Sequence, residues 1–191
     1  MNDREFYQPE GGVTLSGGEP FSQAKFLTEF LPILKKEKVH ITAETCGHFN
    51  WEAVKPALDM VDPVLFDLKA LNPELYQKLT GKDNQLILKN LRKIIELKIP
   101  HQIRMPIVPG MNDSEDELAA IAKFLREELK EPALWLIPYH RLGESKLKKL
   151  NTELKSLGIP SMSEKDLRTK AEFIASQRII VKTFNFTLPP P

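Results

Sequence analysis

From residue 13 to residue 182, short β-rich runs alternate with longer amphipathic stretches, and nothing else in the chain constrains its fold as strongly. Residues 13–16 (VTLS), 39–43 (VHITA), 61–68 (VDPVLFDL), 101–108 (HQIRMPIV), 134–138 (LWLIP) and 178–182 (RIIVK) read as strands. Between them lie helical patterns at 21–36, 51–58, 73–79, 86–97, 114–130 and 163–176. In the first of these, Phe26, Leu27, Phe30, Ile33 and Leu34 recur at helical spacing, with Pro32 as an expected kink. Ser114-x-x-Glu117 and Ser163-x-x-Asp166 have the form of capping boxes that open two helices. A β-α unit repeated in this way predicts parallel strands with helices outside them.

The bulk properties set limits on partners and compartment. A chain of 191 residues that is 41% hydrophobic can bury a sizeable core. Its net charge of +1 gives no global attraction to nucleic acid or to an anionic membrane. No apolar run approaches the roughly 20 residues of a membrane span. The opening MNDREFYQPE lacks the apolar core of a signal peptide. The single cysteine, Cys46, excludes an internal disulfide and fits a reducing compartment, so the cytoplasm is expected. Residues 1–10 read as a remnant, 11–182 as one domain, and the tail 183–191 (TFNFTLPPP) as a loosely held terminus.

Polar residues cluster at one end of these strands. Glu19 follows the first, Glu44 the second; Asp67 and Lys69 close the third, Arg104 lies late in the fourth, and His140 follows the fifth. In parallel β/α folds the C-terminal strand ends carry the active site. Asp67 and Lys69 are two apart and share a face, whereas Phe66 and Leu68 point to the helix layer. Any one of these charges reads equally well as a solvated strand end. Five strand ends together point to an enzyme or a binder with a polar mouth. Gly17-Gly18 does not form a phosphate cradle, since GxGxxG and GxxxxGK(S/T) are both absent. A glycine pair followed by Glu19 suits a cationic ligand group better.

Six blocks then occur in order: GGVTLSGGEP at 11–20, ETCG at 44–47, FDLK at 66–69, TGKDN at 80–84, IRMPIVPGMND at 103–113 and IPYHRLGESK at 137–146. Together they resemble the radical S-adenosylmethionine enzymes that activate glycyl radical enzymes, the pyruvate formate-lyase activating enzyme family. The resemblance implies a partial (β/α)6 TIM-like barrel. It implies that Gly17, Gly18 and Glu19 hold the methionyl amino group of S-adenosylmethionine, and that Glu44, Lys69, Arg104 and His140 line the cofactor site. It places Asp67 and Glu44 beside a monovalent cation, with Glu at 44 where the family's type member has Asp. It implies a glycyl radical enzyme of the pyruvate formate-lyase type as partner, and a flavodoxin or ferredoxin as electron donor.

The family's 4Fe–4S cluster is held by a CxxxCxxC loop upstream of the GGVTLSGGEP block, and cysteine thiolates are the usual ligands of such clusters. Only ten residues precede that block, and Cys46 is single. The expectation is therefore a barrel without its first β-α unit, with no cluster of its own, no catalytic residue of its own, and no activity alone. An uncovered first strand would favour self-association. The alternatives are a degenerate barrel that binds without redox chemistry, or a fragment of another radical enzyme such as the activator of anaerobic ribonucleotide reductase.

Overall fold

The computed structural model describes residues 11–141 and 158–191. The block IPYHRLGESK is thus described only to Arg141. Strands and helices alternate: β1 (Gly12–Leu15), a 3-10 turn (Pro20–Gln23), α1 (Ala24–Lys36), β2 (His40–Thr45), α2 (Trp51–Leu58), β3 (Val64–Asp67), α3 (Pro73–Thr80), α4 (Gln85–Glu96) and β4 (His101–Ile107). They are followed by α5 (Glu115–Lys123), a π-helical turn (Phe124–Leu129), β5 (Ala133–Pro138), α6 (Glu164–Ser176), β6 (Ile180–Lys182) and β7 (Thr187–Leu188). Strand order follows chain order, β1 to β7. The class is mixed α/β, with β1-β2, β2-β3, β3-β4 and β5-β6 parallel, as the alternation predicts.

The chain divides into two compact units, where the sequence reading has one domain over 11–182. Among the described residues the first comprises 11–68 and 83–104; the second comprises 69–82, 105–141 and 158–191. In the first unit, strand alternation separates two faces. Leu15, Ile41, Ala43, Val64, Phe66 and Ile103 are buried on one face, and Leu27, Leu31, Leu34, Val54, Leu58, Ile87, Leu91 and Ile94 are buried on the helices. Thr42, Glu44, Leu65, Asp67 and Arg104 lie on the other face and are half-buried. Register sets Glu44 beside Leu65 and Asp67 beside Arg104, so the charged residues share that face. The expected apolar face of α1 is shifted: Leu27, Leu31 and Leu34 are buried, whereas Phe26 is 57% and Ile33 56% exposed.

Helix ends follow local chemistry. Asn50 caps α2 by accepting from the Glu52 and Ala53 amides, and Asn72 caps α3 through the Leu75 amide. The capping box at α5 forms only by half. The Ser114 hydroxyl accepts from the Glu117 amide, but the Glu117 side chain is buried and accepts instead from the Leu71 and Asn72 amides. At α6 the Ser163 hydroxyl accepts from the Asp166 amide and donates to its carboxylate. Lys38, Lys98, Lys130 and Arg178 end the helical segments before β2, β4, β5 and β6 with positive φ of 54–65°.

The tail differs from the loose terminus of the sequence reading. Thr187–Leu188 pairs antiparallel with β6. The turn between them is tied by Thr183, whose hydroxyl oxygen accepts from the Asn185 and Phe186 amides, and the Arg168 guanidinium lies 4.5 Å from the Phe186 ring centre. A Thr that bonds the backbone two and three residues on makes a turn, a signal that apolar patterning does not carry.

Candidate cofactor site

Four neighbouring strands of the first unit bring together a charged cluster. The Arg104 Nε donates to Asp67 Oδ1 at 2.8 Å, and its Nη1 donates to Glu44 Oε1 at 2.9 Å. The second oxygen of Glu44 accepts from the Ser16 hydroxyl at 2.7 Å. Ser16 follows β1, Glu44 lies late in β2, Asp67 ends β3, and Arg104 is the middle residue of β4. Burial pushes the Glu44 carboxyl up, but the hydrogen bonds from Arg104 and Ser16 and the Arg104 charge outweigh it, and the net shift is downward. For Arg104, burial opposes the charge, while the bonds and charges of Asp67 and Glu44 favour it, and the net shift is upward. A guanidinium has five N–H donors, and two are used by these carboxylates.

Glu19 stands in a second network of the same unit. Its carboxylate accepts from the Thr45 hydroxyl at 2.8 and 2.9 Å, from the Cys46 amide at 3.0 Å, from the Cys46 thiol at 3.2 Å and from the Phe21 amide at 3.2 Å. It thereby caps the turn Pro20–Gln23 and binds the end of β2 to the loop after β1. Gly17 has φ of +126°, and neither Gly17 nor Gly18 would bring a Cβ within 4 Å of another group. The glycine pair borders open space.

Lys69 and His140 belong to the second unit. There the Lys69 carbonyl accepts from Asn112 Nδ2 at 2.8 Å. His140 is exposed and follows Tyr139, whose amide donates to the Ile107 carbonyl at 3.0 Å. Asn112 is 1% exposed; it also donates to the Pro106 carbonyl and accepts from the Val108 amide, and so shapes the PGMND loop.

The sequence reading passed over Ser16, Thr45, Asn90 and Asn112. Thr45 carried a signal: alternation in β2 puts it on the buried face with Ile41 and Ala43, where a hydroxyl must find a partner. Asn90 carried the same signal, standing among Ile87, Leu91 and Ile94; its amide donates to the Gly47 and Phe49 carbonyls at 2.8 Å. Ser16 carried none, because its partner is 28 residues away.

Comparison with known proteins assigns the class. Residues 4–125 match the Radical SAM superfamily, and the chain belongs to that family. It is 38% identical to the choline trimethylamine-lyase activating enzyme of Oleidesulfovibrio alaskensis, over 86% of this chain and 54% of that protein. It is 32% identical to the pyruvate formate-lyase 1-activating enzyme of Escherichia coli, over 78% of this chain and 61% of that protein. A crystal structure of a domain of pyruvate-formate lyase-activating enzyme from Bacteroides vulgatus superposes with a TM-score of 0.72 at 25% identity, over 90% of this chain and 98% of that domain. The chain spans about half the length of the curated relatives it matches first.

The family uses S-adenosylmethionine and a 4Fe–4S cluster, and the residues present fit the two differently. The open glycine pair and the remaining Arg104 donors fit a polar small molecule. The cluster does not fit these 191 residues: they hold one cysteine, and among the described residues no three His, Cys, Asp or Glu side chains gather as metal ligands.

Proposed function

We propose that this chain is the cofactor-facing part of a glycyl-radical-enzyme activating enzyme, with its three cluster thiolates supplied by residues outside these 191. The carrying observation is the Ser16–Glu44–Arg104–Asp67 cluster drawn from four neighbouring strands, in a chain whose relatives bear the name of activating enzymes. S-adenosylmethionine offers an ammonium, a carboxylate and a ribose. Gly17 and Gly18 let the backbone approach the amino end. Arg104 keeps three N–H donors for an anionic or hydroxyl oxygen. Glu19 acts as a brace for that wall, because its lone pairs are taken by Thr45, Cys46 and Phe21. The resemblance alone assigns Lys69 and His140 to the same cofactor.

In this reading the partner is a glycyl radical enzyme of the pyruvate formate-lyase type, the electron donor is a flavodoxin or ferredoxin, and the reaction takes place in the cytoplasm. No helix among the described residues is long and apolar enough to cross a membrane. By itself the chain is inactive and self-associates. Phe26, stacked on Phe30, and Ile33 are exposed on α1, and β1 is the terminal strand of the order among the described residues.

The deciding experiment uses two proteins, this chain and an N-terminally extended form carrying a CxxxCxxC segment. After anaerobic reconstitution the extended form should hold about four irons, cleave S-adenosylmethionine, and raise a glycyl-radical EPR signal on a pyruvate formate-lyase-type target. The 191-residue chain should do none of these. A reconstituted extended form that leaves S-adenosylmethionine intact overturns the proposal. Sedimentation velocity showing a clean monomer of the short chain at high concentration overturns the self-association.

A further inference from the structure

The resemblance to activating enzymes implies a monovalent cation beside positions 44 and 67, and the geometry disagrees. Two carboxylates on one half-buried face carry two negative charges, and such a pair needs a compensating cation. Arg104 supplies it. It lies directly across from Asp67 in the strand register and reaches both carboxylates, at 2.8 and 2.9 Å. Side-chain exposures of 16% for Arg104, 24% for Asp67 and 33% for Glu44 put all three partly out of water. The Ser16 hydroxyl takes the other oxygen of Glu44, so that carboxylate is engaged at both ends.

Glu at position 44 makes the bridge possible. An Asp there is one methylene shorter, about 1.5 Å, and its carboxylate would fall out of hydrogen-bond range of Nη1. Hard cations prefer several oxygen ligands. Here each oxygen of Glu44 already accepts a hydrogen bond, and the guanidinium carries a like charge at the point where both carboxylates converge.

We infer that Arg104 is a built-in counter-cation: Glu44 selects the guanidinium over a bound metal ion, so this cluster takes no sodium or potassium. Arg104 is in this respect a positioning residue, holding two carboxylates from neighbouring strands in fixed places. The inference rests on reading the cluster as the cofactor wall, but its test does not involve the reaction.

The 191-residue chain is melted in matched sodium, potassium and tetramethylammonium chlorides, and titrated with thallium(I) while the thallium NMR signal is followed. The wild-type melting temperatures should agree within about 1 °C, and thallium should show no saturable binding. Arg104→Gln should melt lower and gain at least about 3 °C in sodium or potassium over tetramethylammonium, the mark of linked ion binding. Saturable thallium binding to the wild type, or a saturable sodium or potassium stabilisation of it, overturns the inference. So does a folded Arg104→Gln variant that responds to no cation. If that variant does not fold, the wild-type titration decides alone. Failure of the extended protein to cleave S-adenosylmethionine would leave all these melts unchanged, so the two proposals fail separately.

Discussion

The Glu19 carboxylate accepts from the Cys46 amide at 3.0 Å across 27 residues of sequence, and the same carboxylate takes the Thr45 hydroxyl. The carboxylate thereby ties the loop after β1 to the end of β2. Glu19→Ala should destabilise the chain without any ligand present, by about 1–3 kcal/mol, since the buried Thr45 hydroxyl keeps its bond from the Gly47 amide but loses the acceptor for its own hydrogen. Glu19→Gln keeps one acceptor and should cost less. Urea denaturation of the three proteins measures both. A Glu19→Ala variant as stable as the wild type would return Glu19 to a purely ligand-facing role.

Acid should weaken the first unit in a defined way. Asp62 accepts from Lys35 Nζ at 2.7 Å and from the Ile41 amide at 2.7 Å. Burial raises its carboxyl, but Lys35 and the Ile41 amide outweigh it and hold it below its ordinary value, as Arg104 and Ser16 do for Glu44. A lowered folded value means that the unfolded chain binds more protons. The stability these groups contribute is therefore present above their ordinary range, about pH 4, and is lost as pH falls through their lowered folded values. Denaturant titrations between pH 7 and pH 3 should show this loss. Asp62→Asn should start less stable and lose less on acidification.

Gly47 has φ of +80°, and an added Cβ there would meet Phe66 Cε2 at 2.7 Å and press on its Cζ. Phe66 is fully buried, so it has little room to move. Gly47→Ala should cost about 2–4 kcal/mol from left-handed strain and overpacking together. Gly81 has φ of +73° with open space around it, so Gly81→Ala should cost only about 1 kcal/mol. Equal melting temperatures for the two variants would refute the packing account.

Asn112 makes three bonds that no other side chain of similar size can make together: to the Lys69 carbonyl, to the Pro106 carbonyl, and from the Val108 amide. Asn112→Ala should destabilise by about 2–4 kcal/mol, and Asn112→Asp by a similar amount, because a carboxylate cannot donate to two carbonyls. Thermal unfolding tests the pair. Rescue by Asp would mean that only the bond from Val108 matters.

The helix ends offer a gain. Lys98 sits at φ of +54°, a conformation that favours glycine. Lys98→Gly should stabilise by about 0.5–1 kcal/mol, readable in the denaturation midpoint. A loss of stability would show that the lysine's charge at the C-terminal end of α4 outweighs its backbone strain.

Much of the fold was legible because its signals are local. Ser114 and Ser163, read from sequence as caps, accept from amides three residues on. Residues 51–58 form a helix with the predicted bounds, and β2, β3 and β4 lie within two or three residues of theirs. The π-helical turn at Phe124–Leu129 was not legible: the apolar spacing there reads equally well as one continuous α-helix. Which side of α1 is buried was also misjudged, because Phe26 and Leu31 have similar hydrophobicity and only the packing chooses between them.

By itself the sequence determined which residue types arrive at the strand ends, since alternation and strand length place Glu44, Asp67 and Arg104 on one polar face. Its ordered blocks also carried the family. Only the tertiary structure decided which charge meets which. Register set Arg104 across from Asp67, the extra methylene of Glu44 closed the second bond, and Thr45 and Cys46 claimed Glu19. Hydrogen bonds form over about 3 Å, whereas the partners lie 26 to 60 residues apart in the chain. No local pattern reports a distance that the chain closes only by folding.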